Sequence, residues 1–268
     1  MNTIICTNLI DVLLGLSMVL LFGLLSLSKR AVDFAGLVAG IVVGSTYVFV
    51  GGLMAFIPLL TFFLLASIFT KYKYSIKMKK GAAEKRQGAR SWNNVVSNGL
   101  PPFIFLVLWK IFSSQAFLLA FLSAIAADLS DTLSNEIGTL SHTDPILLFS
   151  WKRVPAGTSG AVSVKGTLAG LIAPIIISIE AIPFLGLNWY LLIPIFAGFM
   201  GNLMDSVLGA TLEAKYRCPI CDKMIEEKYH CGVPAELVKG VSFVNNDVVN
   251  ASISVFAGIL GIVLYYFI

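Results

Sequence analysis

Apolar runs of about 20 residues recur along this chain with little between them that could fold as an aqueous domain. They fall at 8–27, 33–50, 53–70, 95–112, 116–134, 166–184, 188–209 and 248–268. Such runs match the hydrocarbon core of a bilayer, where only helices and closed barrels satisfy every backbone group. Charge agrees: Asp, Glu, Lys and Arg make up 13% of the 268 residues, about half of what a soluble domain carries. The expectation is an all-α integral membrane protein of eight transmembrane helices, a single polytopic domain over 1–268.

Orientation follows from the basic residues, because cationic loops resist translocation. With the N-terminus outside, every Lys and Arg except Lys110 falls on the inner side. The inner loops are then 71–92, 139–165 and 211–245, and both termini lie outside. The net charge of +4 is accounted for by this asymmetry, so no nucleic-acid partner is expected. The basic loop holding Lys71, Lys77, Lys85 and Arg90 also suits anionic lipid, with phosphate steering as a secondary possibility. The first run lacks a basic leader and carries Asp11, so it reads as a span rather than a signal peptide. Cys6 carries no readable role.

Weak internal echoes suggest a duplication. AGLVAG at 35–40 resembles KGTLAG at 165–170, FVGGLM at 49–54 resembles FMGNLM at 199–204, and NNVVSNG at 93–99 resembles NNDVVNA at 245–251. Two parallel four-helix repeats, 1–112 and 116–268, would explain their common order. Compositional likeness among small-residue membrane helices is the competing explanation.

Ionisable residues inside spans cost about 2.5–3.5 kcal/mol on insertion scales and therefore face a protein interior or a wet cavity. In AADLSDTLSNEIG, the side chains of Asp128, Asp131, Thr132, Asn135 and Glu136 share one arc of about 140° at about 100° per residue. Asn202, Asp205, Ser206 and Gly209 repeat the stripe near the end of the seventh run, and Asn245, Asn246, Asp247 and Asn250 open the eighth. All three clusters fall at the inner face. Carboxylates and amides converging there suit Mg²⁺, which takes oxygen ligands and tolerates substrate phosphates in its shell. Caps and interfacial polar ends are the plainer alternative, chiefly for Asn245 and Asn246. Gly157, Thr158, Ser159 and Gly160 can form a concave anion turn beside Arg153, although the same tetrapeptide makes ordinary turns. Cys218, Cys221, His230 and Cys231 have ligand types suited to tetrahedral Zn²⁺, expected to be structural.

Together these blocks resemble a membrane protein family of uncharacterised domain that includes plant chloroplast phytyl-phosphate kinase and the animal transmembrane protein 19 group. The resemblance rests on SDTLSNEIG, VPAGTSGAVSVKGTLAG, MDSVLGATLE and NNDVVN, in that order. Ser130 and Asn135 depart from the family's small residues in the first block. The resemblance implies a Mg²⁺-dependent kinase that phosphorylates an isoprenyl monophosphate, with CTP favoured as the nucleoside triphosphate. On that reading Asp131, Asp205 and Asp247 hold Mg²⁺, and Asp131, Glu136 and Asp128 are the catalytic candidates. Arg153, Gly157, Thr158, Ser159, Gly160, Asn202, Ser206 and Asn246 are the candidate cofactor-binding set. The site would face the cytoplasm from the cell membrane. A cytidylyltransferase acting on a lipid phosphate and a non-enzymatic transporter are the alternatives.

Overall fold

Spanning helices begin where the sequence offers caps. α1 (Leu9–Ser28) starts at Asn8, whose side-chain oxygen accepts the Asp11 N–H. α2 (Phe34–Lys71) starts at Asp33, which accepts from Gly36. A short α3 (Tyr74–Lys79) follows. Reciprocal Ser91 and Asn94 bonds open α4 (Trp92–Phe112), which leads into α5 (Gln115–Gly138). Ser163 caps α6 (Val164–Glu180), succeeded by α7 (Ile182–Leu185), α8 (Leu192–Thr211) and α9 (Asn246–Phe267). These elements come from a computed structural model that describes residues 8–84, 86–148 and 151–267; Cys6 and Lys85 lie outside them.

Six helices among the described residues are long and apolar enough to cross a membrane. The expected count of eight differs in two places. Runs 33–50 and 53–70 adjoin within the 38-residue α2 as two helices that meet at a non-helical Gly52, and run 166–184 yields the 17-residue α6 with α7 behind it. Length and composition therefore do not establish eight spans.

A straight helix of α2's length would extend about 57 Å, nearly twice the hydrocarbon core. It is not straight. Gly52 adopts φ 71° and ψ −172°, a conformation open mainly to glycine, and the chain turns back there. Consequently Lys71 Nζ reaches the carbonyl of Lys29, next to where α2 began. Arg90 also bridges the two halves: its carbonyl accepts the Asp33 N–H at 3.1 Å, and its guanidinium lies 5.9 Å from the Phe62 ring centre.

α5 is the axle of the bundle. It packs on α2, α4, α6, α8 and α9, and 89% of its most apolar 18-residue stretch is buried. Small side chains permit this crowding. A Cβ at Gly201 of α8 would sit 2.6 Å from that of Ala127, so only glycine allows the approach.

The two ends of the bundle differ in chemistry. One carries aromatic pairs, Trp109 with Phe184 at 6.3 Å and Tyr190 with Tyr265 at 5.4 Å. The other gathers the charged and amide groups described below. Short strands add to the expected helices. β1 (Ile146–Leu147) pairs with β2 (Ala161–Val162), and the 211–245 segment folds into β3 (Lys215–Arg217), β4 (Met224–Ile225), β5 (Tyr229–His230), β6 (Val233–Pro234) and β7 (Glu236–Lys239). Their order is β4-β3-β7, with β5-β6 as a separate hairpin.

Candidate functional site

The helical spacing of α5 presents its carboxyl groups to different partners at one end of the bundle. Asp131 is 7% exposed, and its carboxyl group comes within hydrogen-bonding reach of that of Asp205 on α8. Asn135 Nδ2 donates to Asp131 Oδ1 at 2.8 Å. One turn deeper, Asp128 accepts from Ser254 of α9 at 3.2 Å, while its other oxygen has no hydrogen-bond partner. Asp205 also feels the charges of Glu213 and Lys215 just beyond α8. Two acidic groups this close repel when both are ionised, and a shared proton or a hard cation relieves that repulsion.

Glu136 is arranged differently. Its Oε1 accepts from Thr70 Oγ1 at 2.6 Å, and its Oε2 is paired with Lys77. The Lys77 side chain is 1% exposed and donates also to the Phe69 carbonyl at 2.6 Å. Both Glu136 oxygens are thus engaged by protein donors, and the pair pins α3 to the end of α5. Lys80 adds bonds to the carbonyls of Thr139 and Ser141 at 3.0 and 2.7 Å.

Asp247, the third expected metal ligand, stands at the opening of α9 and is held by α4. Asn93 Nδ2 donates to its Oδ2 at 2.6 Å and Asn94 Nδ2 to its Oδ1 at 3.2 Å. The echoing segments at 93–99 and 245–251 therefore meet face to face.

Between these elements lies a polar cavity of about 540 Å³, its open mouth included. Asp131, Thr132, Asn135 and Glu136 of α5 line it, with Asn246 and Asn250 of α9, Thr70 of α2, Arg90, and Asn94 of α4. Beside it runs an apolar crevice of about 730 Å³, its open mouth included. Val19 and Phe22 of α1, Leu37 and Phe62 from the two halves of α2, and Val95 of α4 form its walls. Arg90 and Asn94 border both spaces. Small-molecule sites commonly combine apolar walls with a few convergent polar groups.

Asp128, Asp205 and Asp247 are not among the residues that line the polar cavity, and the remaining candidates also sit elsewhere. The Gly157–Gly160 turn packs on the end of α8, with Gly160 against Ala210 and Gly209 against Ser159. Thr158 bonds back to the Pro155 carbonyl at 2.7 Å, and Ser159 donates to Glu213. The turn thus touches Glu213, whose charge acts on Asp205, and does not line the polar cavity. Arg153 is exposed in the loop, bridged to Ile146 through backbone, and lies outside that cavity's walls. Asn202 is buried against Gly170 and close to Ser130, and Ser206 is buried on the same helix.

Cys218, Cys221, His230 and Cys231 do converge, in the β3–β7 segment, with all four ligand atoms within 4.8 Å of one another. The Cys221 N–H is aimed at the Cys218 sulfur and holds that thiol down at about 6. Sequence reasoning missed Lys77, Arg90, Thr70 and Asn94. The first two looked like ordinary members of a basic loop, and nothing in the loop's composition separates Lys77 from Lys73 or Lys79.

Comparison with known proteins agrees with this architecture. The family described as "Integral membrane protein DUF92" matches residues 17–258. An uncharacterised membrane protein of Methanocaldococcus jannaschii is 29% identical over 258 residues, covering 96% of each chain. Two of the relatives come from Arabidopsis thaliana, each 29% identical. "Protein VTE6, chloroplastic" aligns over 241 residues, 87% of this chain and 65% of its own length. "Protein PGR" aligns over 251 residues, 84% of this chain and 86% of its own. No solved structure matches the chain.

Proposed function

The chain belongs to the DUF92 family of integral membrane proteins, and on that footing we propose that it is a prenyl-phosphate kinase. The reaction moves the γ-phosphoryl group of a nucleoside triphosphate, CTP favoured, to a lipid-embedded isoprenyl monophosphate and yields the diphosphate. One observation carries the reading: an apolar crevice and a carboxylate-lined polar cavity share Arg90 and Asn94 as walls. A molecule with a long apolar tail and an anionic head has that shape and polarity. The four sequence blocks that resemble phytyl-phosphate kinase, and the similarity to a chloroplastic relative, point the same way.

In this scheme the prenyl tail occupies the crevice and Arg90 meets the head group with charge-assisted hydrogen bonds. The oxygen donors of Asp131 and Asp205 fit Mg²⁺, and Asp247, held by Asn93 and Asn94 at the opening of α9, is the third proposed ligand; the ion would supply charge neutralisation for the nucleotide phosphates. Asn135 fixes the orientation of Asp131. Glu136 is a positioning residue: with Lys77 it locks the 71–92 loop and hence Arg90. The Gly157–Gly160 turn, Arg153, Asn202, Ser206 and Asn246 remain the proposed donor-side set. A phosphate monoester is largely ionised at neutral pH, with a second pKa near 6, so the acceptor oxygen needs positioning more than a strong base. The charged end faces the cytoplasm of the cell membrane, where soluble nucleotide is available. A transporter fits less well, because the polar groups collect at one end of the bundle instead of near its middle.

The test uses protein purified in detergent with Mg²⁺, α- or γ-labelled triphosphates, and matched prenyl alcohol and prenyl monophosphate. The expected result is γ-label, but not α-label, entering the lipid only with the monophosphate acceptor. Transfer of α-label would instead identify a cytidylyltransferase, and labelling of the alcohol would redefine the acceptor.

A further inference from the structure

The β3–β7 segment between α8 and α9 has no part in the kinase scheme, yet its turns are built around sulfur. The Cys218 N–H donates to the Lys223 carbonyl at 3.0 Å and the Asp222 N–H to the Cys218 carbonyl at 2.9 Å. This tight turn brings Cys221 close to Cys218. Opposite it, His230 closes β5 and Cys231 begins the turn into β6, with φ 51° at Cys231 and 78° at Gly232. Left-handed backbone at two successive positions, one of them not glycine, is what aims adjacent His and Cys side chains at one point.

The two nitrogen–sulfur distances around His230 match a tetrahedral ion. His230 Nδ1 lies 3.4 Å from Cys221 Sγ and 3.2 Å from Cys231 Sγ. With metal–sulfur bonds of about 2.3 Å and metal–nitrogen bonds of about 2.0–2.1 Å, a tetrahedron's sulfur–nitrogen edge is roughly 3.5 Å. Three thiols and an imidazole favour a soft or borderline cation over Mg²⁺ or Ca²⁺. The surrounding strands are two to four residues long, and all four residues of β7 are exposed. Such a segment buries little apolar surface of its own; from Lys215 to Lys239, Tyr216 and Cys218 are the buried residues.

We propose that Cys218, Cys221, His230 and Cys231 bind one structural Zn²⁺ that cross-links the connection between α8 and α9. The segment is anchored to the helix ends by the Val241 N–H to the Leu212 carbonyl at 2.9 Å and the Ala214 N–H to the Val244 carbonyl at 2.8 Å. Its other consequence is positional. Lys215 at the start of β3 pairs with Glu213 at 3.1 Å, and both lie in the electrostatic neighbourhood of Asp205. The ion would thereby set the spacing between the ends of α8 and α9, whether or not the protein is a kinase.

Metal analysis of the full-length protein, purified in detergent without added metal and without chelator, tests this. The expected result is one zinc per chain, released in step with thiol modification by a mercurial, and replaced by Co²⁺ with the absorption of a tetrahedral thiolate site. The Cys218→Ser and Cys231→Ser variants should lose zinc and become more readily cleaved by protease within 211–245. Protein free of zinc with reactive thiols, iron in place of zinc, or a Cys218–Cys221 disulfide would each overturn the proposal. These readings come from the unsubstituted protein, so they hold even if a variant fails to fold.

Discussion

α1 and α5 have similar lengths, 20 and 24 residues, but opposite relations to the rest of the molecule. In the most apolar stretch of α1 17% is buried, against 89% in α5. The cause lies in their side chains. α1 exposes Leu13, Leu14, Leu20, Leu21 and Leu24, which need no protein partner in lipid. α5 carries Ser123, Asp128, Ser130, Asp131 and Glu136, all buried, and each would be costly against acyl chains. A helix with such a stripe must be wrapped by others, and the wrapping brings Asp205, Ser254, Lys77 and Thr70 to it. The polar residues thus specify both the packing and the site.

The contrast can be broken at its strongest point by Asp131→Asn. That change keeps size and hydrogen bonding but removes the charge proposed to hold Mg²⁺, so phosphoryl transfer should fall by about 10⁴-fold while the protein still elutes as a folded species. Lys77→Met leaves Glu136 uncompensated in a buried setting, which should cost about 3–5 kcal/mol. Adding Glu136→Gln should restore much of the lost thermal stability, whereas a solvated pair would show no such rescue. Gly201→Val forces a side chain into Ala127 and should destabilise by about 1–3 kcal/mol, read as a lower midpoint in a detergent melt. At the other extreme, Leu21→Ala in α1, at a position 55% exposed, should leave both the melt and transfer within error. A large effect there would mean that α1 packs against protein rather than lipid.

The sequence carried much of this, for definite reasons. Spans are legible because the hydrocarbon core imposes a length, and the α5 stripe because helical periodicity places Asp128, Asp131 and Asn135 on one face whatever surrounds them. The Cys and His cluster was visible from its ligand types. The runs ending at 50 and starting at 53 marked the break at Gly52, but not that a single glycine makes it, because two adjoining apolar runs look alike whether they are joined by a loop or by one residue. Lys77 was hidden among loop cations because its burial depends on Glu136, 59 residues away. Long-range pairing also explains Asp247, whose partners Asn93 and Asn94 lie in another helix. The glycine block pointed to a phosphate turn, yet the close fit of Gly160 to Ala210 is a packing relation that only coordinates reveal.

The most direct test of the central claim, that an apolar crevice delivers a lipid phosphate to the Asp131–Asp205 pair, is a chain-length series of prenyl monophosphates. Acceptors from five to twenty carbons would be assayed for γ-phosphoryl transfer by the purified protein. Burial of each added methylene is worth about 0.8 kcal/mol, so kcat/KM should climb steeply with chain length until the crevice is filled. Equal use of short and long acceptors, or no transfer to any of them, would contradict the account.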